Sequence, residues 1–114
     1  SSAKIALNAG DLAEAKKYID EAKKGIEAIA PEARNPKLMP KYFLYRGDVY
    51  YALFNDPSSK NLETLNEAVA AYSDLLDYET KLGKVKLGTA SQEKLPLLAQ
   101  PTAPEWAHPH TRMF

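Results

Sequence analysis

Apolar residues recur every three or four positions from Leu12 onward, and charged residues occupy the opposite helical face. Asp11, with Glu14 three residues later, is typical of a helix N-terminus, and Pro31 closes the pattern. One apolar stripe beside a charged face is the pattern of an amphipathic helix. The spacing therefore predicts a helix over residues 11 to 30.

A second stripe has the same spacing between Leu62 and Leu76 and predicts a helix over residues 62 to 80, with Asn61 as its N-cap. Between the two stripes, residues 41 to 54 carry six aromatic side chains, more than one face of a helix can bury. Either both faces of this third helix are covered by the protein or one face serves a partner.

Proline separates these helices and changes the character of the chain near its end. Pro31, Pro36 and Pro40 predict a linker between two helical hairpins, because proline removes a backbone donor and disfavours helix in the residue before it. Residues 84 to 114, where the spacing fades, are predicted to be a basic, Pro-rich tail that is extended or weakly ordered. Within this tail, residues 92 to 98 are expected to form one or two helical turns at most.

The charge balance argues against nucleic acid as a partner. The 15 basic and 15 acidic residues cancel, so no whole-chain field would hold the protein to an anionic polymer. Residues 81 to 114 carry five cations against two carboxylates, so a mildly basic tail follows a mildly acidic body. No apolar run approaches the roughly 20 residues that span a bilayer, and membrane insertion is not expected. The absence of cysteine excludes disulfides but leaves cytoplasm and periplasm both open.

The two halves of the chain resemble each other. Residues 10 to 22 align with residues 64 to 75 so that Ala15 falls on Ala68. Small residues at such positions let paired helices approach closely. Both segments resemble the second helix of the tetratricopeptide repeat, a helical-hairpin repeat, and hairpins of similar composition are familiar in bacterial envelope proteins. The other positions that carry the resemblance are Gly10, Ile19, Ala22, Phe43, Gly47, Tyr50 and Tyr72.

The resemblance implies an all-α fold of antiparallel helical hairpins, stacked as a short superhelical array over residues 1 to 83. From Gly47 to Ala68 the chain advances by 21 residues, more than the family's hairpin, so a longer loop is expected after residue 54. On the family's register the chain starts partway through a repeat, which implies a fragment of a longer array. The shared stripe and the small residues predict a common core of Ala15, Ile19, Ala22, Phe43, Gly47, Tyr50, Ala68 and Tyr72.

The resemblance also implies a function. In this family the inner face of each first helix lines a groove for an extended peptide or a partner helix, so the chain is expected to be a protein- or peptide-binding scaffold module without catalytic activity. Asp48 and Leu44 stand where some relatives hold a terminal carboxylate, so a carboxylate-binding co-chaperone is not expected. Carried over position by position, the predicted binding residues are Lys4, Leu7, Asn8, Lys41, Leu44, Tyr45, Asp48 and Tyr51. The competing interpretation is that these side chains pack against a neighbouring repeat.

Two further roles stay open at this point. The chain is either a structural module that self-associates, with Trp106 and Phe114 of the tail docking into an apolar surface, or a non-catalytic helical part of a larger protein. These alternatives differ from a peptide-binding module in the surface that they use.

Catalytic chemistry and cofactors find little support in the sequence. His108 and His110 have no nearby carboxylate or cysteine, so a metal site is not expected. The sequence contains no phosphate-binding loop, nucleophile elbow or metalloprotease pattern, and no cofactor is predicted. Asp74, Asp77 and Glu79 are interpreted as a solvated helix face rather than as a pair of catalytic carboxylates.

Overall fold

The computed structural model describes residues 2 to 99, and every regular element in this range is helical. The fold class predicted from the sequence, all-α, is therefore confirmed. The elements are α1 (Ser2–Asn8), α2 (Leu12–Glu27), a short 3-10 helix (Pro31–Ala33), α3 (Met39–Asn55), α4 (Leu62–Lys81) and α5 (Gly88–Ala99).

Local side-chain contacts fix where the two predicted amphipathic helices begin. The Glu14 amide donates to the Asp11 carboxylate at 3.1 Å at the start of α2. At the start of α4, the Thr64 amide donates to the Asn61 side chain at 2.8 Å, and the Asn61 amide donates to the Thr64 hydroxyl at 3.1 Å. These bonds satisfy amide groups that have no partner inside the first turn. Gly10 turns the chain between α1 and α2 with φ of +79°.

The predicted linker over residues 31 to 40 is partly helical. Pro31 begins the 3-10 helix, and Pro40 lies in the first turn of α3. Proline is tolerated there because the first-turn amides have no acceptor within the helix, and its fixed φ suits the helical backbone. The third helix therefore starts two residues before the predicted position of 41.

Each helix packs against the next, and α3 occupies the centre. The α3–α4 pair makes the most extensive contact, and α3 also contacts α1, α2 and α5. Besides their neighbours in the chain, α1 and α5 thus each contact α3, which is consistent with a helical array. Of the six aromatic residues in this helix, Tyr50 and Phe54 are buried by these contacts, whereas the other four are half-buried.

The core follows the predicted stripe with two exceptions. Six of the predicted residues are buried, whereas Ala22 and Phe43 are only half-buried. Ala22 lies beyond the part of α2 that α1 covers, and it lines an open cleft. Phe43 lies at the side of α3, where its ring contacts Tyr42 and Tyr78 at centroid distances of 5.4 and 6.0 Å. Both residues therefore lie at the edge of the core.

The closest approach between helices is made at Gly47. An ideal Cβ built on Gly47 would lie 2.5 Å from Cε1 of Tyr72 and 2.7 Å from its Cδ1. No real Cβ tolerates such distances, so the Tyr72 ring occupies the space that any side chain at this position would need. The prediction that Gly47 is a close-packing residue is confirmed.

The expectation of an extended or weakly ordered tail from residue 84 onward is wrong for residues 88 to 99, where α5 extends the one or two helical turns expected at residues 92 to 98. This helix packs mainly against α4 and also contacts α3. Leu98 is buried against the core, and the buried Ser91 hydroxyl donates to the Tyr72 carbonyl at 2.6 Å. Residues 100 to 114, which include Trp106 and the two histidines, lie outside the described residues.

The assignment of Glu79 to a solvated helix face is also wrong. Asp74 and Asp77 are exposed, but Glu79 is buried and points toward the start of α5. Its carboxylate accepts from the amides of Lys86 at 3.0 Å and Gly88 at 2.5 Å, as well as from that of Leu87 at 3.3 Å. An anion at a helix N-terminus is favoured by the unpaired amides and the helix dipole, so Glu79 anchors α5.

Gly47→Ala should lower the free energy of unfolding by about 1–3 kcal/mol because the new methyl group displaces the Tyr72 ring. Gly25→Ala is the matched control, since Gly25 lies in α2 with nothing within 4 Å of its ideal Cβ. That control should raise the free energy of unfolding by up to about 1 kcal/mol through helix propensity. Urea unfolding followed by circular dichroism measures both, and stabilisation by both variants would contradict close packing at Gly47.

Glu79→Gln should loosen α5 because an amide replaces a carboxylate that accepts three backbone donors. We expect the free energy of unfolding to fall by about 1–3 kcal/mol and the α5 amides to exchange their hydrogens faster. Asp77→Asn makes the same chemical change on an exposed residue of α4 and should leave exchange in α5 unchanged. Equal exchange rates in the two variants would show that Glu79 does not hold α5.

Candidate functional site

The predicted binding residues lie on two helices that contact each other, α1 and α3. The structure brings Lys4 of α1 to Tyr45 of α3, with the ammonium nitrogen 5.3 Å from the ring centroid. A cation at this distance from an aromatic face is attracted by the ring quadrupole. Lys4, Asn8 and Lys41 are exposed, and Leu7, Leu44, Tyr45, Asp48 and Tyr51 are half-buried.

A third helix adds a residue that the sequence prediction missed. Lys94 of α5 places its ammonium nitrogen 4.8 Å from the ring centroid of Tyr51. The contact is of the same cation-π kind as that between Lys4 of α1 and Tyr45 of α3, but it joins α3 to α5. Lys4, Tyr45, Asp48, Tyr51 and Lys94 together are called the tyrosine-lysine surface. Lys94 has helical spacing to Ser91 and Leu98, but the one or two helical turns expected at residues 92 to 98 do not by themselves place Lys94 beside α3.

Asp48 lies between the two lysine–tyrosine pairs. The Tyr72 hydroxyl donates to its carboxylate at 2.6 Å, and the rings of Tyr51 and Tyr72 meet edge to face at 6.4 Å. Burial raises the pKa of Asp48, although the Tyr72 hydrogen bond and the charges of Lys94 and Lys4 act in the opposite direction. Burial and the adjacent Asp48 carboxylate both raise the pKa of Tyr72, so the tyrosine stays protonated as the donor. Asp48 is thus held in place by the fold.

A different set of charges joins α3 to α2 and α4. Arg46 is buried and pairs with Asp20 at 3.2 Å and with Glu67. Tyr50 donates to Asp20 at 2.7 Å, and the Arg46 guanidinium lies 4.8 Å from the Tyr50 ring centroid. Burial alone would raise the pKa of Asp20, but hydrogen bonds from Tyr50 and Lys16 and the bond from Arg46 outweigh it and lower the pKa. This network joins α3 to α2 through Asp20 and to α4 through Glu67.

The described residues show no cluster of metal-ligating side chains, no unpaired polar atom in the interior and no membrane-spanning helix. Among residues 2 to 99, no three His, Cys, Asp or Glu side chains are grouped closely enough to hold a metal ion. In the same range, every buried side-chain nitrogen or oxygen has a hydrogen-bond partner. No helix in the described part of the chain is long and apolar enough to cross a membrane. The polar groups of the interior therefore serve the fold.

A cleft of about 670 Å³ lies beside the tyrosine-lysine surface, between α1, α2 and the first turns of α3. Of the predicted binding residues, Lys41 and Tyr45 line it. Lys41 therefore lines the cleft alone, and Tyr45 belongs to both the cleft and the tyrosine-lysine surface. The predicted residues that belong to neither are Leu7, Asn8 and Leu44.

A comparison of the chain with protein-family models, with curated proteins and with solved structures finds no match. The resemblance to the tetratricopeptide repeat rests on the residues of the sequence that carry it.

Asp48→Asn and Asp20→Asn should change the pH dependence of stability in opposite directions. The folded-state pKa of Asp48 is raised above 3.8, so its ionisation costs the folded protein stability as the pH rises through that raised value. The folded-state pKa of Asp20 is lowered, so its charge stabilises the fold above about pH 4 and this contribution is lost as the pH falls.

We compare the free energy of unfolding of each variant with that of the unaltered protein at about pH 3 and at about pH 7. When the pH is raised from the lower to the higher value, this difference should shift in favour of the Asp48→Asn variant and against the Asp20→Asn variant. Urea unfolding at the two pH values measures the difference. If the stability difference shifted in the same direction for both variants, the opposite pKa shifts of Asp48 and Asp20 would be contradicted.

Proposed function

We propose that the chain is a protein- or peptide-binding module without catalytic activity, in which a tetratricopeptide-like array presents the tyrosine-lysine surface to its partner. The observation that supports this proposal is the pair of half-buried tyrosine rings on α3, each lying beneath a lysine ammonium from a neighbouring helix. Such rings offer a large contact area and lose little conformational entropy on binding.

The geometry favours an extended peptide as the partner. Packed helices lie about 8–10 Å apart, so the three helices α1, α3 and α5 span about 20 Å from the first axis to the last. A peptide in β conformation advances about 3.3 Å per residue, so roughly six residues would cross the surface. Because Tyr45 and Tyr51 are already held by Lys4 and Lys94, little ordering of these side chains would accompany binding.

The charges of the surface are suited to orienting such a peptide. Lys4 and Lys94 stand on the two outer helices, and Asp48 lies between them on α3. The hydrogen bond from the Tyr72 hydroxyl holds the Asp48 carboxylate, so the carboxylate keeps its position when a ligand approaches. Polar groups fixed in this way give orientation, whereas the rings supply most of the binding free energy.

A self-assembly role is the second candidate. Ile5 is 71% exposed on α1 and borders a shallow depression that Tyr18 of α2 also lines. A second copy of the chain covering this depression would remove apolar surface from water. Light scattering over a range of concentrations discriminates between the candidates, since a peptide-binding module stays at one mass and a self-assembling module grows.

Tyr45→Ala and Tyr51→Ala should each weaken the binding of peptides selected from a displayed library of random 12-residue sequences. An aromatic anchor contributes about 2 kcal/mol or more, which corresponds to a loss of affinity of about thirtyfold. Isothermal titration calorimetry measures the affinity, and thermal melting shows whether each variant is folded.

Tyr78→Ala serves as the control, because Tyr78 lies near the end of α4 and its ring contacts Phe43, which is outside the tyrosine-lysine surface. It should leave the affinity of peptides bound at that surface within about twofold. Unchanged binding in both α3 variants, with both folded, would exclude this surface as the binding site.

A further inference from the structure

Asp48 offers a hydrogen-bond acceptor to the surface of the protein. The Tyr72 hydroxyl donates to Oδ1 of Asp48 at 2.6 Å, whereas Oδ2 has no hydrogen-bond partner among residues 2 to 99. Because every buried side-chain oxygen in that range has a partner, Oδ2 is not buried and reaches the surface. The carboxylate is therefore held through one oxygen and accessible to a ligand through the other.

Lys94 offers a donor on the neighbouring helix. Its half-buried ammonium lies 4.8 Å from the ring centroid of Tyr51, and within the described part of the chain it makes no ion pair and no hydrogen bond. An ammonium group carries three N–H donors, and a ring face does not satisfy them as a carboxylate would. An anionic group of a ligand can therefore pair with Lys94 without displacing a carboxylate of the protein.

Tyr72 fixes the acceptor and the ring beneath the donor relative to each other. Its hydroxyl binds Asp48, and its ring meets that of Tyr51 edge to face at 6.4 Å. Burial raises the pKa of Asp48, and the Tyr72 hydrogen bond and the charge of Lys94 offset this rise only in part. A positive group of a ligand would therefore stabilise the ionised carboxylate further.

The spacing of these groups matches that of an extended peptide. Tyr45, Asp48 and Tyr51 follow one another at three-residue intervals on α3, so they form one row inclined by about 45° to the helix axis. Neighbouring Cβ atoms of such a row are about 5–6 Å apart. In an extended peptide, side chains on one face are two residues and about 6.6 Å apart. Successive side chains on one face of the peptide would therefore meet successive residues of the row.

We propose that the partner of the tyrosine-lysine surface carries a basic and an acidic residue two positions apart in an extended segment. The basic side chain pairs with Oδ2 of Asp48. The acidic side chain lies over Tyr51 and pairs with the Lys94 ammonium. Either chain direction allows both pairs, so the acidic residue stands before or after the basic one.

This inference rests on the peptide-binding function proposed above and names the charges that the peptide carries. A peptide with a like charge at either position would place two equal charges together on a half-buried surface. Such juxtaposition costs affinity, so the two pairs give specificity as well as orientation.

The test begins with peptides selected on the unaltered protein from the displayed random library described above. Those that lose affinity for the Tyr51→Ala variant bind at the tyrosine-lysine surface, and only these are compared. A basic and an acidic residue two positions apart should recur among them. Surface-bound peptides that lack this pair would overturn the proposal.

Charge reversal tests the pair made by Lys94. In a synthetic version of one selected peptide, lysine replaces the acidic residue, and isothermal titration calorimetry should show about tenfold weaker binding to the unaltered protein. The Lys94→Glu variant should bind the altered peptide more tightly than the original one. If this variant keeps the preference of the unaltered protein for the original peptide, the pairing is overturned.

Lys60→Glu is the matched control, because Lys60 makes the same kind of contact at another place. Its ammonium lies 4.7 Å from the ring centroid of Phe54, outside the tyrosine-lysine surface. The net charge changes equally in the two variants, but Lys60→Glu should keep the preference for the original peptide. A reversed preference in both variants would indicate long-range attraction instead of direct pairing and would overturn the proposal.

Asp48→Asn tests the second pair and leaves α5 unaltered. Replacing the basic residue of the peptide by glutamine should weaken binding to the unaltered protein about tenfold and to the Asp48→Asn variant less than about twofold. Equal losses for the two proteins would show that Asp48 does not meet the basic residue, and the proposal would be overturned.

The charge pairing and the peptide-binding function fail in different ways. Peptides whose affinity depends on Tyr45 and Tyr51 but not on Asp48 and Lys94 would overturn the pairing and leave the function in place. If no selected peptide depends on the two tyrosines, the surface is excluded as the binding site and the pairing is overturned with it.

Discussion

The packing of Tyr72 against Gly47 is the contact on which the rest of the structure depends. The Tyr72 ring lies where a side chain at position 47 would be, so α4 approaches α3 more closely than two helices with ordinary side chains allow. The same residue donates its hydroxyl to Asp48 and accepts the Ser91 hydroxyl at its carbonyl. One tyrosine of α4 thereby holds α3 on one side and α5 on the other.

Two charged residues of α3, Arg46 and Asp48, have different roles. Arg46 is buried among Asp20, Glu67 and Tyr50, and it joins the helix to α2 and α4. Removing one partner from such a network leaves the others unpaired, which is why buried ion pairs tend to fix an arrangement even when they add little net stability. Asp48 is on the side of α3 that meets α1 and α5, where two lysines are near it.

The central position of α3 gives rise to two regions of different polarity. At the tyrosine-lysine surface, rings of α3 meet ammonium groups of α1 and α5. The first turns of α3 instead line a cleft with α1 and α2, where most of the lining side chains are apolar or aromatic. Tyr45 contributes to both, so the two regions are contiguous.

The sequence by itself determined the helices that carry a regular apolar stripe, together with their caps and the small residues at which they meet. Asp11, Asn61, Ala15, Ala68 and Gly47 could be assigned because capping and close packing depend on local spacing and residue size. Lys4 and Tyr45 could be placed on neighbouring helices, but only by the resemblance to a repeat family.

The sequence indicated at most one or two helical turns at residues 92 to 98, and only the tertiary structure decided that the helix spans residues 88 to 99 and that Lys94 belongs to the candidate site. The stripe of α5 is weak and Pro96 lies inside it, so its local spacing predicts little. Its stability comes from contacts distant in the sequence, namely the Glu79 carboxylate at its first amides and the Tyr72 carbonyl on Ser91. A buried acceptor nine residues before the amide that it binds leaves no periodic trace in the sequence, because such a contact depends on where two helices meet.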